Sequence, residues 1–288
     1  MGHGIAQVAA MAGHQVRLRD VEEDLVRDGI DAIEANLESG IERDKVTEEE
    51  ATDTLGRIEG TTDLEMAVAD ADLVIEAVPE DLDLKREVLA DAADHASDDA
   101  VIATNTSSLS VTAIADALDR PERAVGLHFF NPVHVMALVE VVVAEQTDAD
   151  TLAFAREFVE DVDKTPIEVR DSPGFASSRL GAALGAEAMR MVQEGVAHPR
   201  DVDRAMELGY NHPMGPIELG DVVGLDVRLD ILEYLREELG ERFRPPQILK
   251  RKVRAGKLGQ KTGEGFYVWE DGEVVGVSGQ VDGGADRP

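Results

Sequence analysis

Met1-Gly-His-Gly-Ile-Ala-Gln-Val-Ala-Ala-Met-Ala-Gly13, followed by Gln15-Val-Arg-Leu-Arg-Asp20, is the passage that decides the fold. Residues 1–13 read as a helix that starts abruptly at Met1-Gly2-His3-Gly4 and stops at Gly13. Residues 15–20 alternate as a half-buried strand does. A strand closing on an acid about 20 residues after a glycine-rich turn is half of a dinucleotide-binding fingerprint. In that reading Gly2 is the last glycine of the turn and Asp20 holds the adenine ribose, favouring NAD over NADP. Arg17 and Arg19 weaken the preference slightly. Asp20 equally suits a cap on a helix beginning near Val21. The other half of the fingerprint, a hydrophobic strand and two further glycines, is missing. Such a strand is usually central in a doubly wound sheet, so its loss would expose strand edges and remove the phosphate-facing turn. The expectation is a start truncated at an internal methionine.

Beyond Asp20, residues 21–44 and 47–56 are helical by period. Leu73-Val-Ile-Glu-Ala-Val78 reads as a buried strand ending at Pro79-Glu80, and a helix from about Leu82 carries Lys85 near its start. Residues 101–104 form another strand, leading into Asn105-Thr-Ser-Ser108. A polar cluster at the C-terminal end of a strand, just before a helix, lies where open α/β sheets bind ligands. It also fits a plain N-cap. Residues 124–129, 136–143 and 164–169 complete the strands, and the strand–helix order predicts a mostly parallel α/β sheet. Asp171-Ser-Pro-Gly-Phe175 breaks the pattern. Helices then follow at 176–194, 199–208, 216–224 and 225–239, with no long strand pattern before Phe266. The prediction is a Rossmann-type doubly wound α/β domain over 1–170, lacking its first strand, and an all-helical C-terminal domain over 171–288. The Gly- and Asp-rich tail from Gly276 is expected to be loose.

The 288 residues carry 60 acids against 28 bases, a formal charge of −32. So acidic a chain argues against nucleic acid or an anionic membrane as partner. A hydrophobic share of 43% excludes a disordered composition. Adaptation to high salt is the hypothesis: a Debye length of about 3 Å at molar salt makes dense like charge tolerable. Cysteine is absent, which removes disulfide and thiolate chemistry. No run of 18 apolar residues and no signal peptide is present, so a cytoplasmic protein is expected. The scattered histidines His3, His14, His95, His198 and His212 show no metal-ligand spacing.

The chemistry concentrates in Gly126-Leu-His-Phe-Phe-Asn131-Pro-Val-His-Val-Met-Ala-Leu-Val-Glu140-Val-Val142. A histidine, an amide and a carboxylate stand there amid apolar residues. A His held by a Glu suits a general base, because the carboxylate fixes the tautomer and stabilises the imidazolium. Taken alone, the stretch also reads as two strands with a satisfied histidine.

Together with Gly2-His-Gly-Ile-Ala-Gln, Glu76-Ala-Val-Pro-Glu80, Asn105-Thr-Ser-Ser-Leu109, Leu138-Val-Glu140, Asp171-Ser-Pro-Gly-Phe175, Pro213-Met-Gly-Pro-Ile-Glu-Leu219 and Lys261-Thr-Gly-Glu-Gly-Phe-Tyr267, this stretch resembles the 3-hydroxyacyl-CoA dehydrogenase family. The motifs span almost the whole chain in family order. The resemblance implies an NAD domain, a helical domain forming most of a homodimer interface, and oxidation of an L-3-hydroxyacyl-CoA to the 3-ketoacyl-CoA. It assigns His128 as base, Glu140 as the group orienting it, and Ser107 as donor to the substrate oxygen. Glu80, Lys85, Asn105 and Asn131 would line the nicotinamide end of the cofactor, with Lys261 approaching from the second domain.

Three departures matter. Pro173-Gly-Phe-Ala-Ser-Ser178-Arg179 places Ser178 where the family has an active-site asparagine, and His134 stands where proline is frequent. The third is the absent first strand. Separately, residues 242–263 hold eight basic side chains and no acid, read either as an anion site for phosphate-bearing ligands or as a basic helix paired with acidic neighbours. Two other functions stay open: a dehydrogenase of a CoA-free hydroxy or sugar acid of the L-gulonate type, and a non-catalytic NAD-binding protein.

Overall fold

A computed structural model of the protein describes residues 1–279. The chain divides into two compact units, one running to Phe175 and the other starting at Ala176. The first unit opens with α1 (Gly2–Met11), β1 (Val16–Arg19), α2 (Glu23–Glu42), α3 (Glu48–Leu55), β2 (Ile58–Thr61) and α4 (Leu64–Val68). It continues with β3 (Leu73–Glu76), α5 (Leu82–His95), β4 (Val101–Thr104), α6 (Val111–Ala115), β5 (Ala124–Phe129), β6 (Leu138–Val143), α7 (Ala149–Asp161) and β7 (Thr165–Arg170). The predicted strands are present within two residues at each end, while β2, α4 and α7 were not anticipated.

β3 to β7 form one five-stranded sheet in chain order, and β1 pairs with β2 in a separate two-stranded sheet. Of the pairs in these two sheets, only β5 with β6 is antiparallel. In a doubly wound sheet a central strand would join the two pieces, and none does so among the described residues.

Alternation along the strands sorts the core into two faces. Val125, Leu127, Phe129, Val139 and Val141 pack with Ala155 and Val159 of α7. Ala124 and Val142 face the other way, with Ile114 of α6, Leu89 of α5 and Phe175. Gly126 lies on that second face, and a Cβ there would meet Val142 Cβ at 2.7 Å and Val111 Cγ2 at 2.9 Å. The absent side chain lets α6 sit against the sheet beside His128. Gly4 has the same function in α1, where a Cβ would lie 2.9 Å from Val133 Cβ.

The second unit contains α8 (Ser177–Glu194), α9 (Pro199–Tyr210), α10 (Pro216–Val223), α11 (Leu225–Leu239) and α12 (Gln247–Arg254). It is helical as predicted, but also carries a hairpin of β8 (Tyr267–Glu270) and β9 (Glu273–Val277). The tail expected to be loose from Gly276 therefore begins inside a strand, and its remainder from residue 280 lies outside the described residues. Two buried carboxylates bind the unit together. Asp203 accepts from Ile217 N (2.7 Å), Glu218 N (3.0 Å) and the Tyr267 hydroxyl (2.6 Å). Asp221 accepts from Phe266 N (2.9 Å), Tyr267 N (2.8 Å) and Trp269 Nε1 (3.1 Å). Burial pushes both carboxyls above their ordinary range, and these hydrogen bonds oppose it only in part. No helix among the described residues is long and apolar enough to cross a membrane.

Candidate active site

Antiparallel pairing sets His128 of β5 directly opposite Glu140 of β6. Residues so paired project to the same face of a sheet. His128 Nδ1 lies 2.7 Å from Glu140 Oε2, with the histidine 7% and the glutamate 0% exposed. An ionised carboxylate at that distance accepts a hydrogen bond from Nδ1–H, which leaves Nε2 with its lone pair free to act as a base. Among the described residues no hydrogen bond engages Nε2. The Phe130 and Phe175 rings stand 4.5 Å and 5.8 Å from the imidazole, centroid to centroid.

A second polar group lies where β3, α5 and the turn after β4 meet. Glu80 Oε1 accepts from Thr106 Oγ1 at 2.7 Å, Ser107 N at 2.9 Å, and the amide and hydroxyl of Ser108, each at 3.0 Å. The Ser107 hydroxyl lies 3.2 Å from the same oxygen. Burial alone would raise the Glu80 carboxyl, but these bonds and the nearby Lys85 ammonium hold it below its ordinary value. Residues 106–108 of the cluster are therefore organised by Glu80. They do not serve as a helix cap, since Ser110 caps α6 and Asp171 in turn holds Ser110 Oγ (2.7 Å) and Thr112 N (2.8 Å).

Lys85 is 1% exposed and bonded to Glu76 Oε1 (2.8 Å), a residue that sequence reading quoted in a motif but gave no role. Asn105 Oδ1 accepts from Phe129 N at 2.9 Å, tying the turn to the strand that carries His128. Asn131 is exposed just beyond β5, as is His134. His134 stands by His3, whose imidazole is held below its ordinary pKa by burial first, then by the chain's amino group and His134. Among the described residues His134 forms no pair with a carboxylate, so of the two histidines in this stretch only His128 has an orienting acid.

Gly2 begins α1, and no side chain caps that helix's first turn. Asp20 is exposed just past β1; among the described residues its one hydrogen bond is a local contact from Val21 N at 2.7 Å, and it does not cap α2. An uncapped helix N-terminus and a free carboxylate at the end of the neighbouring strand fit a dinucleotide: amides for its diphosphate, the acid for ribose hydroxyls.

Ser178 and Lys261 belong to the second unit. Ser178 lies in the first turn of α8, and the exposed Lys261 bonds Asp226 Oδ2 at 2.6 Å, at the start of α11. Of the eight bases in residues 242–263, Lys250 and Lys257 likewise meet acids, Glu233 and Glu264. Lys252 donates to Gly265 O at 2.6 Å, and Arg242, Arg244, Arg251 and Arg254 are exposed without ion pairs among the described residues. The basic segment is thus half paired and half open. No cluster of three or more metal-capable side chains occurs among the described residues.

Residues 1–172 match the model of the 3-hydroxyacyl-CoA dehydrogenase NAD binding domain, and residues 174–269 match that of the C-terminal domain. A probable 3-hydroxybutyryl-CoA dehydrogenase of Deinococcus radiodurans is 43% identical over 268 residues, covering 93% of this chain and 96% of the relative. One from Bacillus subtilis is 43% identical, covering 94% of each. Among solved structures, (S)-3-hydroxybutyryl-CoA dehydrogenase PaaH1 from Ralstonia eutropha superposes with a TM-score of 0.91 at 39% identity, covering 94% of this chain and 96% of that one. M. tuberculosis FadB2 gives a TM-score of 0.89 at 42% identity, covering 94% and 95%. With both halves matched in order and relatives aligned nearly end to end, the chain belongs to the NAD-binding 3-hydroxyacyl-CoA dehydrogenase family.

Proposed function

We propose that the protein oxidises an L-3-hydroxyacyl-CoA, such as 3-hydroxybutyryl-CoA, to the 3-ketoacyl-CoA, with the His128–Glu140 pair as general base. The observation that carries this reading is the buried 2.7 Å contact between His128 Nδ1 and Glu140, which leaves Nε2 as acceptor. Bound NAD would supply the acceptor for the hydride leaving C3. His128 Nε2 takes the hydroxyl proton as that hydride departs, and Glu140 stabilises the imidazolium that results. Ser107 offers its hydroxyl to the substrate oxygen, where a positioned donor is worth most as charge develops. The first turn of α1 and Asp20 would hold the diphosphate and ribose, with Asn105 and Asn131 near the reactive end. Ser178 and Lys261 stay in the reading as residues of the second unit that contribute to substrate and cofactor. Ser178 keeps one donor on a shorter side chain than asparagine. A homodimer is part of the proposal, supported by the apolar surface of the second unit, where Leu180, Leu208 and Tyr210 are 71%, 73% and 74% exposed.

NADH formation from L-3-hydroxybutyryl-CoA at high salt, in wild type and His128→Ala, is the test. The expected loss is about 10²–10⁴-fold, the usual contribution of a general base. A fully active His128→Ala enzyme would reject the mechanism. Good turnover of CoA-free hydroxy acids would instead identify the sugar-acid type of dehydrogenase.

A further inference from the structure

We propose that Glu76 is a positioning residue of this site, acting through Lys85 on Glu80 and so on the Ser107 hydroxyl. The inference rests on the reading in which Ser107 meets the substrate oxygen.

Glu76 ends β3 and is buried to 5% exposure. Each of its oxygens is engaged: Oε1 by Lys85 Nζ at 2.8 Å and Val78 N at 2.6 Å, Oε2 by Thr104 Oγ1 at 2.7 Å. The Lys85 ammonium also donates to Val78 O at 3.0 Å and lies 3.5 Å from Glu80 Oε2. Replacing a buried ion pair by apolar groups of similar size is often neutral or stabilising, so cohesion alone is a weak reason for this one.

The arrangement has a second consequence. The Lys85 ammonium faces one oxygen of Glu80 at ion-pair distance, and five donors converge on the other oxygen. A single carboxylate oxygen has two lone pairs, so five donors cannot all be well served. The Ser107 hydroxyl, at 3.2 Å, is the most distant of the five and the one most readily ceded to a ligand. Glu76 sets this balance. While it neutralises Lys85, Glu80 is left to the 106–108 turn. Without its charge, Lys85 has Glu80 as its only carboxylate, and Glu80 is drawn off the serines.

Glu76→Gln keeps the shape of the side chain and removes the charge. Measured with L-3-hydroxybutyryl-CoA and NAD beside wild type, it should lower kcat/KM by about 10- to 100-fold, the scale of a small misplacement at a reacting centre. The charge-balanced double variant Glu76→Gln/Lys85→Met separates positioning from support of the fold. Its Tm should return close to wild type while its kcat/KM stays low, because Glu80 has lost the ammonium that steadies it. Recovery of Tm and kcat/KM together would overturn the inference, leaving the pair structural. Wild-type kcat/KM in folded Glu76→Gln would also overturn it while leaving the general base untouched. A wild type that turns over no hydroxyacyl-CoA would overturn both readings.

Discussion

Tyr267→Phe removes one oxygen from the buried network of the second unit, and its cost can be worked from the contacts. The hydroxyl donates to Asp203 Oδ2 at 2.6 Å, and the tyrosine, at 3% exposure, lies inside the core. The ring and its packing survive the change, so the loss is confined to one hydrogen bond to a charged group, about 1.5–3 kcal/mol. The amides of Ile217 and Glu218 still serve the carboxylate, which keeps the cost near the lower end, about 2 kcal/mol. The pH dependence adds a sharper check. Burial raises the Asp203 carboxyl, and the Tyr267 bond is foremost among the contacts that oppose the rise. A carboxyl raised in the folded state contributes stability that is complete below its unfolded pKa and lost as pH rises through the folded one. Removing the hydroxyl raises it further, so the deficit of Tyr267→Phe should be largest near pH 7.5 and shrink towards the unfolded aspartate value of about 4. Urea unfolding of both proteins in molar salt at pH 7.5 and pH 5 reads the two quantities. A deficit below about 0.5 kcal/mol, under the range for one buried charge-assisted bond, or one equal at the two pH values, would refute the reasoning.

The remaining expectations concern the surface. With a formal charge of −32, stability should rise as potassium chloride goes from 0.1 M, where the Debye length is about 10 Å, to molar concentration, where it is about 3 Å; a fall in stability would count against salt adaptation. If the exposed apolar side chains of the second unit join two copies, wild type should sediment at twice the 31.1 kDa chain mass and Leu208→Asp/Leu180→Asp at that mass itself. A monomeric wild type would dispose of the dimer.

Where burial runs unbroken or follows a helical period, the sequence is legible. Val101–Thr104 and Leu225–Leu239 were read with the ends they have. β2 escaped because Ile58-Glu-Gly-Thr61 is four residues long and exposes its middle two. α7 escaped because its buried positions, Thr151, Ala155 and Val159, are small or polar, a thin stripe to recognise. The hairpin in the second unit carries a signal in the sequence. Asp271-Gly272 stands between two β-rich runs, and both residues adopt positive φ, 50° and 85°. Asp-Gly is the dipeptide such a turn requires. The glycines near the carboxylates were equally opaque, since a Cβ at Gly215 or Gly265 would come within 2.1 Å or 2.2 Å of Asp203 or Asp221, residues distant in sequence.

The site divides along the same line. His128 and Glu140 could be named from their motif, but their meeting depends on strand register, and a slip of one residue would send Glu140 to the α7 face. The Glu76–Lys85–Glu80 group joins a strand end, a helix and a turn, and no period connects spacings of four and nine. One clue was nevertheless present. Lys85, Leu89 and Ala92 recur at the positions of a single helical face, and all three are buried. A lysine on the core stripe of a helix must find a carboxylate, because an ammonium left alone there is prohibitively costly. Within the apolar run Leu73–Val78 the only acid is Glu76. Two charges, one on the buried stripe of a helix and one inside an apolar strand, are each out of place alone and identify one another.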